Sequence, residues 1–343
     1  MQRISQTIDG LRQKHGDSLL ILAHHYQEDS VVAHADMTGD SLELARQIPL
    51  AENVQNIVFC GVHFMAESAA ILATPEQRVF LPEASAGCVM SNMAPASLVE
   101  TMLTRLNSGK RRVIPLAYVN SSAAVKGVCG KFRGSVCTSA NSSTMLSWAL
   151  DRGDAVLFLP DQNLGLNTAN ILGIPQNERL RLNVRQKGAL VDVQAAEQAK
   201  LILWPGCCAV HHLFKCAHIN QMRKEHPDAQ IIVHPECTPD VVEKADAAGS
   251  TSAIIKFVEK APMGSTIIVG TEISLVDRLT ERYAPDKKIL PLARCQCSNM
   301  AKTTEEKLLQ TLNALQAGRD ISVKDTVRTP ARLALQRMLD ACN

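Results

Sequence analysis

The sequence predicts an α/β protein with parallel sheets. Short apolar runs rich in β-forming residues alternate with amphipathic stretches along all 343 residues, which is typical of βα units. A chain of this length can bury two or three compact cores. Similar strands also recur at an irregular period of roughly 80 to 110 residues, which favours three related domains over a solenoid. One long doubly wound sheet with strands alike by chance remains the alternative.

Ten runs are predicted to be strands: 18–26, 56–62, 78–83, 112–119, 135–140, 155–161, 201–206, 230–236, 266–272 and 288–293. In the predicted triplication, the run 201–206 is the first strand of the last set. The third strand of each set is closed by an acidic residue, which is Glu83, Asp161 or Glu272. The predicted domains are 1–105, 106–190 and 191–343. The C-terminal segment is a possible addition to the first of them.

Composition and charge exclude several classes of protein. The net charge is only +2 and no block of like charge occurs, which argues against a nucleic-acid or membrane partner. The polar N-terminus has no apolar leader, and no stretch has the length that spans a bilayer, so we expect a cytoplasmic protein. No glycine-rich nucleotide motif is present. Eleven cysteines in a reducing compartment are expected to be core residues, metal ligands or catalysts.

Polar residues follow many of the predicted strands, where parallel sheets bind their ligands. Three domains whose strand ends face one another would enclose one shared site. Several helices are also predicted to begin there. Asp40 and Glu43 form a capping box that places Ser41 in the first turn, and further starts are predicted at Asn120 and Ser121, at Ser250 and Thr251, and in "TSANSSTML" with Ser139 near the cap. Helix starts suit carboxylates or phosphates, although such residues also cap helices for stability alone.

The cysteines predict a site built from distant parts of the chain. No pair of CxxC motifs occurs, so a zinc ribbon or a ferredoxin-like site is not indicated. Cysteines follow strands at three places instead: Cys88, the pair Cys207 and Cys208, and the pair Cys295 and Cys297. Three thiolates would leave one iron of a four-iron cluster open to a substrate oxygen, as a dehydration requires. A zinc site or merely buried thiols remain alternatives.

Ordered motifs over nearly the whole chain resemble the quinolinate synthase family. They include "AHHYQ", "GDSLELAR", "GVHFMAESA", "AGCVMSNM", "YVNSSAAVK", "CTSAN", "LPDQNLG", "WPGCCAVH", "VHPEC" and "ADAAGSTSAI". The resemblance implies three α/β/α domains around a pseudo-threefold axis, with the active site at the shared centre. It also implies a 4Fe-4S cluster with three cysteine ligands and one open iron. The implied reaction condenses iminoaspartate with dihydroxyacetone phosphate to give quinolinate, phosphate and water.

The family motifs transfer to individual residues. Cys88, Cys208 and Cys297 match the cluster ligands, which leaves Cys207 at a variable position. The chain departs from the family pattern after Cys297, where Ser298 and Lys302-Thr303 stand in place of the usual Pro and Asn. Cys295 therefore stays an alternative to Cys297 as the third cluster ligand. The implied substrate-binding residues are His24, Tyr26, Ser41, Tyr118, Asn120, Ser139, His234, Glu236 and Thr251.

Glu236 is the predicted general acid/base, with His234, Tyr26 and Tyr118 positioning groups or carrying protons. His211 could reach the cluster or the substrate, or bond only to nearby backbone. A functional link is expected to the enzyme that supplies iminoaspartate. The rival functions are an iron–sulfur or zinc dehydratase or aldolase acting on another small dicarboxylate, and a non-catalytic iron–sulfur sensor.

Overall fold

The computed structural model of the chain describes residues 2–185 and 193–342. The elements are numbered here in chain order. The first part contains α1 (Gln2–His15), β1 (Leu19–His24), α2 (Asp29–Val32), β2 (Met37–Gly39), α3 (Ser41–Gln47), β3 (Asn56–Cys60), α4 (His63–Leu72), β4 (Arg78–Phe80), α5 (Val89–Asn92) and α6 (Ala96–Leu106). The middle part contains β5 (Val113–Tyr118), α7 (Ala123–Lys131), β6 (Ser135–Cys137), α8 (Ser142–Leu150), β7 (Ala155–Leu159), α9 (Gln162–Ile171), β8 (Arg179–Arg181), α10 (Val193–Gln198) and β9 (Leu201–Leu203).

The last part contains α11 (Cys216–Glu225), β10 (Gln230–Val233), α12 (Pro239–Lys244), β11 (Ala247–Ala248), α13 (Thr251–Lys260), β12 (Thr266–Gly270), α14 (Ile273–Tyr283), β13 (Lys288–Pro291), α15 (Glu305–Asn313) and α16 (Asp325–Ala341). The strands form three sheets, in the orders β2-β1-β3-β4, β6-β5-β7-β9-β8 and β11-β10-β12-β13. All the strand pairs within them are parallel. The predicted α/β fold with parallel sheets is therefore confirmed.

All ten predicted strands are present, each shorter than its apolar run. Three further strands, β2, β8 and β11, were not predicted. They lie at the edges of their sheets and are two or three residues long. An edge strand pairs on one side only and is not buried like a central strand, so it lacks the continuous apolar run of an inner parallel strand.

The predicted grouping of strands into repeats is wrong. The run at 201–206 was placed first in the last set, but β9 pairs with β7 and β8 in the middle sheet. By position in the sheets, β3, β7 and β12 are equivalent, and so are β4, β9 and β13. Glu83, which follows β4, is therefore not the counterpart of Asp161 and Glu272. Val62, which follows β3, takes that position.

The first and last sheets repeat one another at a spacing of 210 residues. Asp36 accepts the Ile21 N–H at 2.7 Å and pairs with Arg12, and Asp246 accepts the Ile231 N–H at 2.7 Å and pairs with Arg223. The same spacing relates two pairs of predicted site residues, His24 with His234 and Ser41 with Thr251. Similar strand-end positions in the two sheets therefore carry similar side chains.

The chain forms two compact units. The first comprises residues 1–88, 216–234 and 245–323 and holds the first and last sheets. One of its cores joins Ile8 of α1, Ile21 of β1 and Leu308 of α15, and another surrounds Val269 of β12. The predicted domain boundary between 105 and 106 stays a prediction, and the one between 190 and 191 lies outside the described residues.

The second unit comprises residues 89–215, 235–244 and 324–343 and holds the middle sheet. The C-terminal helix α16 packs closely on α7 in this unit. A Cβ atom added at Gly130 would lie 1.8 Å from the Pro330 carbonyl oxygen, so only glycine permits this approach. Within the part of the chain that the structure describes, no helix is long and apolar enough to cross a membrane.

Candidate active site

Three loops that carry cysteines are held by the same backbone hydrogen bond. The helices that follow β3, β7 and β12 each begin with a residue that donates its N–H to a carbonyl in another loop. That loop follows the neighbouring strand of the sheet, which is β4, β9 or β13. The pairs are His63 to Ala86 (2.7 Å), Gln162 to Gly206 (2.9 Å) and Ile273 to Cys295 (2.9 Å). The residue two positions after each acceptor is a cysteine: Cys88, Cys208 or Cys297. These three cysteines therefore occupy equivalent backbone positions, which Cys207 and Cys295 do not share.

Exposure separates these cysteines from most of the others. Cys88, Cys208 and Cys297 are part-exposed, whereas Cys60, Cys129, Cys137 and Cys237 are buried, as expected for core residues. Cys295, the rival of Cys297, is 6% exposed, and burial raises the pKa of its thiol. Cys207 is part-exposed, but burial and then the charge of Asp161 raise the pKa of its thiol as well. Both rivals therefore give up a proton less readily than an ordinary cysteine.

Cys208 lies in a compact group with His211 and Glu236 in the second unit. One ligand atom from each residue lies within 4.8 Å of the others, so the three could hold a metal ion. The Nδ1 atom of His211 is 2.5 Å from a carboxylate oxygen of Glu236, and both side chains are almost completely buried. The Cys208 carbonyl accepts the His212 N–H at 3.0 Å, which keeps the histidine turn against the cysteine loop.

Two asparagines of α9 hold the loop that carries Glu236. Asn163 donates its Nδ2–H to the Glu236 carbonyl at 3.2 Å. Asn167 donates to the carbonyls of Pro235 and Cys237 at 2.8 and 2.9 Å. The motif "LPDQNLG" supported the family resemblance and the acidic residue that closes a strand, but this role of the asparagines was not predicted. Its signal was the spacing of Asn163 and Asn167, four residues apart on one face of a helix that directly follows a strand.

The other predicted residues of the second unit follow β5 and β6. Tyr118 ends β5 and is buried, and its carbonyl accepts the Ser121 hydroxyl at 2.9 Å. The buried Oδ1 atom of Asn120 has no hydrogen-bond partner among the described residues. A buried acceptor of this kind suits an N–H group of a ligand. Ser139, part-exposed, follows β6.

One predicted helix start is corrected by the structure. The helix after β5 is capped by Ser122 rather than by Asn120 or Ser121. The helix after β6 has Asn141 at its N-cap, so Ser139, two residues earlier, lies near the cap as predicted. Asn120 and Ser139 therefore lie in the loops before their helices.

In the first unit, His24 and Tyr26 form one contact group. The His24 Nδ1 atom accepts the Tyr26 N–H at 3.1 Å, and the two rings meet edge to face with centroids 4.7 Å apart. The Tyr26 hydroxyl is 2.6 Å from the Thr271 hydroxyl, at the end of β12. His234, also buried, donates its N–H to the Gly270 carbonyl at 3.0 Å. The ends of β1, β10 and β12 thus carry all of these groups.

The helix starts at Ser41 and Thr251 are as predicted. Asp40 and Glu43 form the capping box of α3, and Ser250 caps α13, so Ser41 and Thr251 are the first residues of their helices. Glu43 also accepts a hydrogen bond from the Ser252 hydroxyl at 2.6 Å, which ties the two helix starts together. His25, and then Ser252, lower the pKa of Glu43 to about 2.

The predicted site residues are distributed over the two units. Those of the first unit are His24, Tyr26, Ser41, Cys88, His234, Thr251 and Cys297, and those of the second are Tyr118, Asn120, Ser139, Cys208 and Glu236. Within the first unit, Lys302 donates to the Ser85 carbonyl at 2.8 Å, so a residue that departs from the family pattern links the segments around Cys297 and Cys88. Together, the parallel sheets, the polar strand ends and the buried carboxylate–histidine pair are typical of an α/β enzyme with acid–base chemistry.

Comparison with known proteins identifies the family. The profile described as "Quinolinate synthetase A protein" matches residues 6–340. Quinolinate synthase of Corynebacterium glutamicum is 46% identical over 98% of this chain and 86% of that protein. Quinolinate synthase of Halalkalibacterium halodurans is 47% identical, over 96% of this chain and 91% of that protein. Quinolinate synthase of Acidobacterium capsulatum is 44% identical over 98% of this chain and 92% of that protein. The chain belongs to the quinolinate synthetase A family, which confirms the resemblance in the sequence.

Proposed function

We propose that this protein is an enzyme that condenses iminoaspartate with dihydroxyacetone phosphate to give quinolinate, phosphate and water. Family membership over nearly the whole chain carries this proposal. The site residues support it, because a substrate with two carboxylates and a partner with a phosphate need several anion-binding positions. Ser41 and Thr251 are the first residues of their helices, so their hydroxyl groups lie at the positive ends of the helix dipoles, which favour anions. At α3 the Asp40 carboxylate already accepts the N–H groups of Leu42 and Glu43, so there the Ser41 hydroxyl is the group offered to a substrate.

We further propose that Cys88, Cys208 and Cys297 hold a 4Fe-4S cluster. The chemistry of the donor set fits this cofactor, since three part-exposed thiols occupy equivalent positions and no fourth cysteine does so among the described residues. When bound, a cluster with one open iron supplies a Lewis acid that helps a hydroxyl group leave as water. Such a cofactor needs a reducing compartment, which we take to be the cytoplasm.

In this proposal, the side chains of the chain bind the substrates and move protons. Glu236 is the general acid/base, and the Nδ1 atom of His211 lies 2.5 Å from its carboxylate. The unpartnered Oδ1 of Asn120 accepts an N–H of iminoaspartate. His24 holds Tyr26 at its backbone and Thr271 holds it at its hydroxyl, so the phenol is fixed in position beside the predicted substrate site. Tyr118, Ser139 and His234 bind or position the substrates.

The substrates imply a metabolic partner. Iminoaspartate is an imine and hydrolyses in water, so the enzyme that oxidises the amine of aspartate has to supply it close by. We propose a functional link to that enzyme.

One observation favours a second candidate. The sulfur, nitrogen and oxygen donors of Cys208, His211 and Glu236 also suit zinc, which would make the protein a zinc-dependent dehydratase or aldolase. Metal analysis separates the two, because only the cluster brings sulfide with its iron. A non-catalytic sensor, the third possibility, would hold a cluster and show no turnover.

Anaerobic purification, iron and sulfide analysis, and an assay for quinolinate from the two substrates test the proposal. We expect a brown protein with close to four iron and four sulfide per chain that forms quinolinate. A colourless, metal-free protein with full activity would contradict the cluster. A cluster-loaded protein that makes no quinolinate would contradict the reaction.

A further inference from the structure

Two buried carboxylates begin helices in the candidate site, and each uses one oxygen for the cap. Asp161 Oδ1 accepts the N–H groups of Asn163 and Leu164, at 2.8 and 3.1 Å, at the start of α9. Glu272 Oε2 accepts the Ser274 N–H at 2.8 Å at the start of α14. Both side chains are 1% exposed or less. A cap needs one acceptor oxygen, which a serine or threonine would supply without burying a charge.

The second oxygen of Glu272 faces the backbone of a predicted cluster ligand. Oε1 accepts the Cys297 N–H at 3.2 Å. The carboxylate therefore bridges the start of α14 and the cysteine loop that follows β13. The Cys295 carbonyl of the same loop accepts the Ile273 N–H at 2.9 Å. The start of α14 therefore holds the loop at two points, the Cys295 carbonyl and the Cys297 N–H.

Asp161 lies at the equivalent position after β7 in the other unit. The Gln162 N–H holds the Gly206 carbonyl of the cysteine loop there at 2.9 Å, as the Ile273 N–H holds the Cys295 carbonyl. The buried Oδ2 atom of Asp161, however, has no hydrogen-bond partner among the described residues. The contact between a capping carboxylate and the backbone N–H of a predicted ligand is therefore a feature of Glu272 and not of Asp161.

We propose that Glu272 is a positioning residue that orients Cys297 toward the cluster. This inference rests on the proposed function, because it assumes that Cys297 is a ligand. Groups that hydrogen-bond to the segment around a metal ligand hold its orientation, and their loss typically weakens metal binding by about 10- to 100-fold. Thr271, next to Glu272, binds the Tyr26 hydroxyl, so this strand end also holds a predicted catalytic group.

Three variants of the full chain test the role of Glu272. Glu272→Met keeps the volume and removes both acceptors, and Glu272→Gln keeps one carbonyl oxygen. Thr304→Ala is the matched control, because the Thr304 side chain caps α15 by accepting the Lys307 N–H and is not bonded to a cysteine in the described part of the chain. Each variant is reconstituted anaerobically with iron and sulfide. Iron and sulfide content is then measured, and the loss of visible cluster absorbance is timed after adding a chelator.

We expect Glu272→Met to lose its cluster about 10-fold faster than the unmodified protein, with Glu272→Gln in between. Thr304→Ala should match the unmodified protein. The inference is overturned if Glu272→Met keeps its cluster as long as Thr304→Ala, or if Glu272→Gln is no better than Glu272→Met. If the unmodified protein takes up no cluster, the proposed cofactor fails instead, and the two failures are thereby distinguished.

Circular dichroism of the apoproteins shows whether each variant folds. If Glu272→Met is unfolded, Glu272→Thr replaces it, because threonine keeps a cap acceptor and lacks the second carboxylate oxygen. Faster cluster loss in Glu272→Thr than in Glu272→Gln supports the inference, and equal rates overturn it.

Discussion

At the scale of single residues, the adjacent cysteines Cys207 and Cys208 have different predicted roles. Cys208 shares its backbone position with Cys88 and Cys297, and it lies beside His211 and Glu236. Neighbouring side chains in an extended segment point to opposite sides, so only one of the pair can face a shared ligand. We expect Cys208→Ser to abolish the cluster absorbance and most of the bound iron and sulfide, and Cys207→Ser to leave both nearly unchanged.

The pair Cys295 and Cys297 provides the same comparison, with Cys297→Ser expected to be the damaging change. Iron and sulfide analysis after anaerobic reconstitution measures all four variants. The reverse pattern in either pair would overturn that ligand assignment.

Glu236 is the residue whose loss should separate chemistry from cofactor binding. Glu236→Gln keeps the size of the side chain and removes its capacity to exchange a proton. We expect cluster content to stay normal and kcat to fall about 100- to 10,000-fold, the usual contribution of general acid–base catalysis. Glu243→Gln, an exposed change on α12 in the same unit, is the control. Normal turnover in Glu236→Gln would remove this carboxylate from the mechanism.

At the scale of secondary structure elements, Glu43 links α3 to α13 through Ser252. The folded protein holds the pKa of Glu43 at about 2, below its ordinary value of 4.5, chiefly because of His25. Ionised Glu43 therefore stabilises the fold fully above about pH 4.5, and this stabilisation is lost as the pH falls toward 2.

We expect Glu43→Gln to lower the free energy of unfolding by on the order of 1 kcal/mol at pH 7, since the side chain is about one-third exposed and screened by solvent. The difference from the unmodified protein should shrink between pH 4.5 and pH 2. Denaturant unfolding at several pH values measures it, with the exposed Glu52→Gln as the control. A difference that grows as the pH falls would contradict this assignment.

The contact between α7 and α16 depends on Gly130. A methyl group there would overlap the Pro330 carbonyl, so the two helices would have to separate. We expect Gly130→Ala to reduce the free energy of unfolding by about 1–3 kcal/mol or more. Gly10→Ala in α1 meets no atom within 4 Å and should instead stabilise the protein by about 0.5–1 kcal/mol. Denaturant unfolding measures both, and equal effects would argue against close packing of α16 on α7.

At the scale of the whole molecule, apolar patterning predicted the α/β class because inner parallel strands are buried on both faces. It did not predict the order of the strands. The run at 201–206 looks like the start of a new set, yet β9 joins β7 in the middle sheet. Strand pairing depends on partners far apart in the chain, which no local pattern records. The short edge strands β2, β8 and β11 were not predicted for a different reason, since they are partly exposed and lack a continuous apolar run.

By itself, the sequence determined the features that depend on neighbouring residues: the ten main strands, the capping box of Asp40 and Glu43, the Ser250 cap and the motifs of the family. Tertiary structure alone decided that Cys88, Cys208 and Cys297 share a backbone position, which side chain touches Glu236, and what the second oxygen of Glu272 binds. The physical reason is that each of these contacts joins segments that follow different strands. The contacts of Glu272 and of the cysteine loops form when neighbouring parallel strands bring their ends to one edge of a sheet, whereas Glu236 and His211 follow strands of different sheets.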